Sequence, residues 1–395
     1  MVDFRPFRPF IPRLGSGERM LDRVSPPYDV ISAEELGRLK ANRFNVTNIT
    51  LGGVDGDYSA AGLALSSWIE QGALAQDRRD AFYTYRQTFC EGEHYWQRTG
   101  IVGIMAAEGY SERVVPHEET FPKVKEDRLN LLRGTGTHCE SIFGIFDELS
   151  PGLRDRMDEV ETKVLEFTDP QGVRHCLFRV CDPETVAAVS QELAGKTVLI
   201  ADGHHRYETA SRYAQESPGD ERRRFVLTTL VPSNDPGLLV FPTHRLVKDL
   251  PVPAAQFLAF LRGRFELLEV PYAAGLASAL EGRPSSDVGL VVDGKAFVAS
   301  PKDLPSDPMW DLDSYVCQEL VLKGEVWKEG PQVVYEHDTG KALGKAAEGF
   351  RLLVMLRSPS VDKIWELARM DRRMPKKSTY FWPKIWSGFV YYRMA

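Results

Sequence analysis

The sequence predicts an α+β fold with mixed sheets. Helix and strand patterns alternate as far as about residue 230. Two strand patterns flank the turn sequence Glu91-Gly92-Glu93, which indicates a hairpin. Mixed patterns continue to the end of the chain, and we expect strands from distant segments to pair with one another.

The composition is that of an ordinary soluble protein. Of its 395 residues 43% are hydrophobic, enough to bury a substantial core in two or three structural units. The net charge of -7 argues against non-specific nucleic-acid binding, which needs a basic surface. No apolar run approaches the roughly 20 residues of a membrane helix, and the N-terminus lacks a signal-peptide core. We therefore expect a cytoplasmic protein with neither a nucleic-acid nor a membrane partner.

The five cysteines point to a reducing compartment. Their number is odd, and no pair has Cys-x-x-Cys spacing. Both features fit the cytoplasm better than a disulfide scaffold or a structural zinc site.

The first part of the chain carries clear element signals. Ser32-Ala-Glu-Glu35 has the form of a capping box that opens a helix. Residues 45–51 alternate between apolar and polar side chains, which predicts a strand, and residues 58–76 form an amphipathic helix pattern. Residues 81–89 and 94–105 are the two predicted strands of the hairpin.

Further elements are predicted in the second half. An apolar strand pattern over 198–202 runs into a helix pattern, and another strand pattern ends at Phe241. Residues 251–305 contain helix and strand patterns of a small separate unit. Trp365 lies in a helix pattern, and 374–393 is a basic, aromatic tail.

These patterns divide the chain into four expected segments. An N-terminal α/β segment covers 1–110, and a core covers 111–250. A small α/β insertion covers 251–305, and the C-terminal segment 306–395 returns to the core.

The most informative motif is the run Asp202-Gly203-His204-His205-Arg206. It joins the strand pattern to the helix pattern. At such a junction the free N–H groups and the positive end of the helix point to one place, which suits a phosphate. Because two histidines and an arginine stand beside that place, we interpret the run as an active-site turn for a phosphorylated ligand.

Three other clusters combine charged and polar side chains, at 116–128, 242–245 and 374–384. Their candidate residues are His117, Glu118, Lys123 and Arg128, then Thr243, His244 and Arg245, and then Lys376, Lys377 and Ser378. Histidine directly before arginine supplies an acid/base and a planar cation together, as phosphoryl chemistry requires. The His117-Glu118 pair can bind Mg²⁺ or act as a general base.

Alternatives stay open for each cluster. His204 and His205 are adjacent and therefore point apart, so one faces the ligand and the other packs inward. A His-Arg pair also fits a structural ion pair, and Glu118 also fits helix capping. The pair Lys376-Lys377 also fits a solvated face, and Tyr28-Asp29 fits a plain turn as well as a site.

Five motifs in order resemble the domain-of-unknown-function family 1015. They are Ser-Pro-Pro-Tyr-Asp-Val-Ile (25–31), Pro-His-Glu-Glu-Thr…Lys…Asp-Arg-Leu-Asn-Leu-Leu (116–132), Ala-Asp-Gly-His-His-Arg-Tyr-Glu-Thr-Ala (201–210), Asp-Pro-Gly-Leu…Pro-Thr-His-Arg (235–245) and Met-Pro-Lys-Lys-Ser-Thr-Tyr-Phe-Trp-Pro-Lys (374–384). The resemblance covers the whole chain. It implies a phosphoserine-linked activity, because members are thought to sit often beside serine-biosynthesis enzymes.

The turn alone is similar to the phosphate-binding turn of the ParB/sulfiredoxin-like fold, which includes free-serine kinases that use ADP or pyrophosphate. This local resemblance implies that residues 202–206 hold a phosphate at the centre of the fold. It also implies that a nearby carboxylate activates the serine hydroxyl, and Glu118 is the candidate.

The leading hypothesis is a phosphoryl-transfer enzyme that acts on a small phosphorylated or hydroxylated metabolite, with serine or phosphoserine as the first candidate. Arg206 and the backbone of residues 203–206 hold the phosphate, and His204 or His205 is the acid/base. Glu118 or Asp202 activates the hydroxyl or water, or binds Mg²⁺. ATP, ADP or pyrophosphate is the candidate donor, and the kinase or phosphatase direction is open.

The alternative hypothesis is a non-enzymatic, nucleotide-binding regulator of the ParB-like type. A homodimer is a candidate assembly under either hypothesis. For the enzyme we predict that six residues converge in one pocket, since mixed sheets place ligands where strands end and helices begin. They are His117, Asp202, His204, Arg206, His244 and Arg245.

Overall fold

The computed structural model describes residues 1–120 and 122–394, apart from the side chains of Pro122 and Lys123. Contacts within the chain separate two compact units. Unit 1 consists of Met1–Pro116, Thr120–Leu239 and Pro383–Ala395, and unit 2 of His117–Glu119 and Val240–Trp382. In the described part of the chain, no helix is both long and apolar enough to cross a membrane.

The elements up to residue 232 belong to unit 1. The strands are β1 (Phe4–Arg5), β2 (Phe10–Pro12), β3 (Leu74–Gln76), β4 (Phe82–Glu91), β5 (His94–Ala106), β6 (Val114–Pro116), β7 (Thr137–His138), β8 (Ile142–Phe146), β9 (Thr162–Thr168), β10 (Arg174–Val180), β11 (Val198–Asp202) and β12 (Phe225–Pro232). The α-helices are α1 (Ala33–Lys40), α2 (Thr47–Thr50), α3 (Ser59–Glu70), α4 (Pro122–Thr135), α5 (Pro151–Val160), α6 (Pro183–Ala194) and α7 (His204–Gln215). Short 3₁₀ helices cover Met20–Asp22, Tyr28–Val30 and Glu221–Arg224.

Most of these strands form one mixed sheet. Within the described residues it has nine strands, in the order β6-β11-β8-β12-β5-β4-β10-β9, with β1 paired to β5. β11 runs parallel to β6 and β12 runs parallel to β8, whereas β11 is antiparallel to β8. Val198, Leu199 and Ile200 are fully buried, so β11 lies in the core. The strand that leads to the candidate turn is therefore paired with a neighbouring strand on each side.

The remaining strands and helices belong chiefly to unit 2. The strands are β13 (Leu239–Phe241), β14 (His244–Val247), β15 (Phe265–Val270), β16 (Val288–Val292), β17 (Lys295–Pro301), β18 (Val334–Glu336), β19 (Leu352–Met355) and β20 (Tyr380–Trp382). The α-helices are α8 (Ala254–Arg264), α9 (Leu276–Leu280), α10 (Asp313–Val316), α11 (Thr339–Ala347) and α12 (Val361–Arg369), with a π-helical turn at Cys317–Val321. The last strand, β21 (Tyr392–Arg393), belongs to unit 1 and pairs with β7.

Unit 2 has an antiparallel sheet whose central strands are buried on both faces. Its described order is β15-β17-β16-β19-β14-β18, so strands from within 251–305 share one sheet with strands outside it. Side chains of β19 alternate between two apolar clusters. Leu352 and Val354 pack in one, whereas Leu353 and Met355 pack in the other. The alternation follows from the period of two in a strand.

The structure confirms an α+β fold with mixed sheets. The hairpin is β4 and β5, and the capping box is present because the Ser32 side chain accepts from the N–H of Glu35. The junction of strand and helix around Gly203 is confirmed as β11 and α7.

Two local predictions were wrong. Residues 45–51 form no strand but contain the helical turn α2, because the side chain of Asn45 accepts from both the N–H and the hydroxyl of Thr47. The helix predicted over 58–76 ends at Glu70. Gly72 then adopts φ +71°, which turns the chain into β3.

The Asp-Pro-Gly loop at 235–237 packs closely against the middle of the second hairpin strand in unit 1 and acts as a clamp on it. Asp235 accepts from the N–H of Thr99 at 3.1 Å and from the N–H of Gly237 at 2.9 Å. A Cβ on Gly237 would lie 2.5 Å from the backbone nitrogen of Arg98. The glycine is therefore required by the close approach of two backbone segments.

We expect Gly237→Ala to lower the free energy of unfolding by about 1–3 kcal/mol, because the backbone must move to admit the methyl group. Urea denaturation of the purified chain measures this. The control is Gly219→Ala, since a Cβ there meets open space. Equal unfolding free energies for the two variants would contradict the proposed clamp.

Candidate functional site

The turn after β11 depends on a left-handed glycine. Gly203 has φ +96° and immediately precedes the first residue of α7. Only glycine adopts this conformation without steric cost, and it lets the chain reverse from strand to helix within one residue. The N–H groups of the first turn of α7 are thereby directed to the end of β11.

Gly203 also leaves room for the side chain of Arg206. A Cβ at Gly203 would lie 3.0 Å from Nη2 of Arg206 and 3.1 Å from Cδ1 of Ile142. Both distances are tighter than ordinary carbon contacts. The absence of a side chain thus lets the guanidinium fold back over the turn.

The guanidinium of Arg206 is buried among acceptors. Nη1 donates to the carbonyl of Ser141 at 2.6 Å, and Nη2 lies 3.6 Å from Oδ1 of Asp202. Only 13% of the side chain is exposed. Burial disfavours the charge, but the carboxylates of Glu140 and Asp202 outweigh it and hold the pKa of Arg206 above its ordinary value.

Asp202 is held by a lysine from the C-terminal segment of unit 1. Nζ of Lys384 donates to Oδ2 of Asp202 at 2.9 Å, and both side chains are largely buried. Lys384 is the last residue of the fifth sequence motif, where the sequence prediction had selected Lys376 and Lys377 instead. The carboxylate of Asp202 therefore faces two cations, Lys384 and Arg206.

A second buried arginine, Arg128 on α4, lies beside Glu140. Nη1 of Arg128 is 3.6 Å from Oε2 of Glu140, and Nη2 donates to the hydroxyl of Tyr58 at 2.9 Å. The guanidinium carbon stands 4.5 Å from the centre of the Tyr28 ring. Burial and the neighbouring carboxylates of Asp29 and Glu140 raise the pKa of Tyr28, so its hydroxyl stays protonated.

A small cavity of about 20 Å³ lies between these groups, which is room for roughly one water molecule. Its wall includes Arg128, His138, Glu140 and Arg206. Within the described residues, Nη1 of Arg128 and Nε2 of His138 are buried without a hydrogen-bond partner. A buried polar atom of this kind costs about 1–3 kcal/mol until a ligand or water satisfies it.

His138 is a neutral histidine. It is buried, and that burial lowers its pKa to about 3, with the nearby charge of Arg206 acting in the same direction. His138 and Glu140 carry no clear signal in the sequence, because they lie in a stretch without a charged cluster, 135–141. They line the cavity because β7 and the loop before β8 lie beside the turn.

The two adjacent histidines differ in burial. His204 is buried and His205 is half-buried, as expected for neighbours that point apart. On the same helix Glu208 accepts from Lys125 at 2.8 Å and from the hydroxyl of Thr120 at 3.0 Å, which ties α7 to α4. A catalytic role for either histidine stays a prediction.

In unit 2 the structure brings His117 and Glu118 together with residues 377–379. Oε1 of Glu118 accepts from the N–H groups of Ser378 and Thr379 at 3.1 and 3.0 Å, and Oε2 accepts from the N–H of Lys377 at 3.2 Å. Lys377 has φ +57°, which helps three successive N–H groups to converge on the carboxylate. Glu118 thus fixes the loop, and its predicted catalytic role stays a prediction.

The His-Arg pair at 244–245 is buried within unit 2. Nδ1 of His244 accepts from the N–H of Leu356 at 3.1 Å, so Nε2 carries the proton and donates to Thr339 at 2.9 Å. Burial, helped by the charge of Arg245, lowers the pKa of His244 to about 4. Arg245 donates to the carbonyls of Thr243 and Lys376. These contacts hold the pair within unit 2, and its predicted phosphate-binding role stays a prediction.

The six residues expected to converge fall in both units. Asp202, His204 and Arg206 belong to unit 1, and the other three (His117, His244 and Arg245) belong to unit 2. Their convergence therefore stays a prediction, as do the phosphate-binding roles of Thr243, Lys376, Lys377 and Ser378. Lys123 lies in the first turn of α4, and its side chain is outside the described residues.

The magnesium prediction is also open. Among the described residues no three His, Cys, Asp or Glu side chains are grouped to hold a metal ion. The two candidates, Glu118 and Asp202, belong to different units. Mg²⁺ commonly binds one or two carboxylates together with substrate phosphate oxygens, so a protein-only cluster is not a requirement for it.

Comparison with known proteins identifies a family but no curated relative. The model of the DUF1015 family, described as a protein of unknown function, matches residues 4–315. No curated protein matches the chain.

Free serine kinases are among the similar solved structures. A free serine kinase variant in complex with ADP shares 16% identity at a TM-score of 0.42, covering 70% of this chain and 86% of its own. A hypothetical protein from Pyrococcus furiosus shares 15% identity at a TM-score of 0.40, covering 71% and 91%. SbnI from Staphylococcus aureus, truncated at the C-terminus, shares 9% identity at a TM-score of 0.39, covering 72% and 84%. At these scores the similarity assigns no function to this chain.

The neutral state of His138 predicts a pH dependence of stability. The folded pKa of about 3 lies below that of an unfolded histidine, about 6.5. The unfolded chain therefore binds the extra proton first, and stability falls as the pH drops from about 6.5 towards 3. One such group contributes about 1.4 kcal/mol per pH unit in that window.

Between pH 6 and pH 4.5 the free energy of unfolding falls as the pH is lowered. We expect His138→Gln to reduce this slope by the equivalent of about one proton, about 1.4 kcal/mol per pH unit. Urea denaturation at several pH values measures the slope. His94→Gln on the exposed hairpin is the matched control and should leave the slope unchanged. Identical slopes for both variants would show that His138 is not held neutral by burial.

Proposed function

The chain belongs to the DUF1015 family, and we propose that it is a phosphoryl-transfer enzyme whose active site is the turn between β11 and α7. The observation that carries this proposal is the cavity beside Arg206. Two arginines line it, Arg128 and Arg206, and among the described residues Nη1 of Arg128 is buried without a hydrogen-bond partner, 3.6 Å from Oε2 of Glu140. A phosphate oxygen is the acceptor that such a guanidinium fits best.

The phosphate would be held from two sides. Arg206 exchanges its bond to the carbonyl of Ser141 for a phosphate oxygen, and Arg128 supplies Nη1 from α4. The start of α7 adds the positive end of the helix dipole, which favours an anion at this place. A space of one water admits a phosphate only if Arg206 moves outward.

Asp202 is the group best placed to accept a proton at the turn. In the synthetic direction the substrate hydroxyl oxygen forms a bond to phosphorus while the bond to the donor's leaving oxygen breaks. The hydroxyl proton passes to Asp202, and Lys384 neutralises the charge that develops nearby. Because the transition state is loose, positioning and charge stabilisation contribute more than a strong base does. If Mg²⁺ takes part, Asp202 would be the residue that holds it, and the ion would supply further neutralisation of the phosphate charge.

Serine or phosphoserine is the first substrate to test, and ADP, ATP or pyrophosphate the first donor. The choice of substrate and donor is based on the sequence resemblance of the turn. The proposal of a phosphate site is based on the contacts within unit 1. The decisive assay measures phosphoserine formation from serine with each donor, and phosphate release from phosphoserine. Inactivity in both directions across a panel of hydroxylated metabolites would contradict the proposal, as would nucleotide binding without turnover.

Arg206→Lys keeps the charge but loses the planar fork that holds two oxygens. We expect it to weaken binding of the phosphorylated substrate by about 1.5–3 kcal/mol, a factor of roughly 10 to 150. Isothermal titration with phosphoserine measures this. Arg212→Lys is the matched control, because Arg212 lies on the same helix, is exposed and pairs with Glu126. Equal affinity in the two variants would remove Arg206 from the site.

Asp202→Asn tests the proton acceptor. We expect kcat to fall by about 10²- to 10⁴-fold, with a small change in KM, because the amide cannot accept the proton. The variant also loses the ion pair with Lys384, so thermal unfolding must be measured in parallel. A lower melting temperature with unchanged kcat would assign Asp202 to the fold instead of the reaction.

A further inference from the structure

Unit 1 contains a second concave region, separate from the turn. It is an open groove of about 530 Å³ between the two-stranded sheet of β2 and β3 and the end of the large sheet at β9 and β10. A volume of this size is typical of small-molecule sites. None of the residues proposed for phosphoryl transfer lines it.

The groove is strongly basic in a chain of net charge -7. Four arginines line it, at positions 13, 78, 79 and 179, against one carboxylate, Asp77. The four positive charges exceed the single negative charge by three. In the described part of the chain, the guanidinium groups of Arg13, Arg78 and Arg79 form no ion pair or hydrogen bond with another side chain. Such clustered, unpaired cations repel one another until an anion binds.

Asp77 fixes the basic loop in position. Its side chain is 6% exposed and accepts from Nε of Arg179 and from the hydroxyl of Tyr83, both at 2.6 Å. The other carboxylate oxygen accepts from the N–H of Arg78 at 2.7 Å. The Asp77 N–H donates to the carbonyl of Pro9 at 2.8 Å. The backbone that carries Arg78 and Arg79 is therefore held before any ligand binds, which lowers the entropy cost of binding.

The groove also has an apolar wall. Ile11, Pro12, Ala75 and Val164 line it, and all four are half-buried. Val164 stands where the register between β9 and β10 shifts by one residue. A bulge of this kind re-aims a side chain and is frequent beside binding sites.

We propose that this groove binds a small organic molecule that carries a diphosphate. Its surplus of three positive charges matches the roughly three negative charges of a diphosphate ester at neutral pH. Arg78 and Arg79 bind the diphosphate, Arg179 stays oriented by Asp77, and the apolar wall packs against the organic part. The site is distinct from the turn and does not depend on the proposed reaction.

ADP is the probe for this site, with AMP and pyrophosphate as comparisons. Titration calorimetry on the full chain measures each affinity. We expect ADP to bind at least about 10-fold more tightly than AMP, which lacks the second phosphate, and than pyrophosphate, which lacks the organic part. The half-buried thiol of Cys181 lines the groove and reports the location, because bound ADP slows its labelling by a maleimide.

The double variant Arg78→Gln/Arg79→Gln should weaken ADP binding at least about 10-fold and abolish the protection of Cys181. Arg222→Gln/Arg223→Gln removes the same charge from a surface segment that pairs with Asp220, and should change neither. Arg206→Lys should also leave the protection of Cys181 intact, because Arg206 does not line the groove. The Cys181 readout therefore tests the groove independently of the turn. Unaltered ADP affinity in the first double variant, or equal binding of ADP and pyrophosphate, would overturn this proposal.

Discussion

The buried guanidinium of Arg206 is the group on which the candidate site depends. A buried cation without compensation costs several kcal/mol, so the surrounding structure must supply acceptors. The carbonyl of Ser141 and the carboxylates of Asp202 and Glu140 do so. Glu140 and Ser141 lie in the loop before β8 and Asp202 ends β11, so the guanidinium, which belongs to the first turn of α7, joins these three parts of unit 1. Gly203 permits this arrangement because a side chain there would meet the guanidinium.

The other sequence motifs make structural contacts within each unit, and their predicted roles in a site stay predictions. Glu118 is saturated by backbone N–H groups of residues 377–379, and His244 is held as one neutral tautomer. Asp235 and Gly237 clamp two backbone segments. These contacts stabilise loops and strand ends inside each unit. A motif rich in histidine and charge therefore also serves packing, and the surroundings of each residue show which contacts it makes.

The sequence predicted the parts of the fold that are determined locally. The apolar run before Asp202, the obligatory turn at Gly203 and the helix pattern after it identified β11 and α7 without knowledge of their neighbours. It failed at residues 45–51, where a side-chain hydrogen bond from Asn45 overrides the alternating pattern. It also missed Glu140, His138 and Lys384, because their proximity to Arg206 depends on strand order and on the C-terminal segment, neither of which leaves a local signal.

The central claim is that a phosphate replaces the internal acceptors of Arg206. The most direct measurement is a crystal structure of the chain with phosphoserine bound. We predict phosphate oxygens within hydrogen-bond distance of Arg206 and of the first N–H groups of α7, with the bond from Arg206 to the carbonyl of Ser141 broken. Phosphoserine bound at another place, with Arg206 still donating to Ser141, would contradict the account.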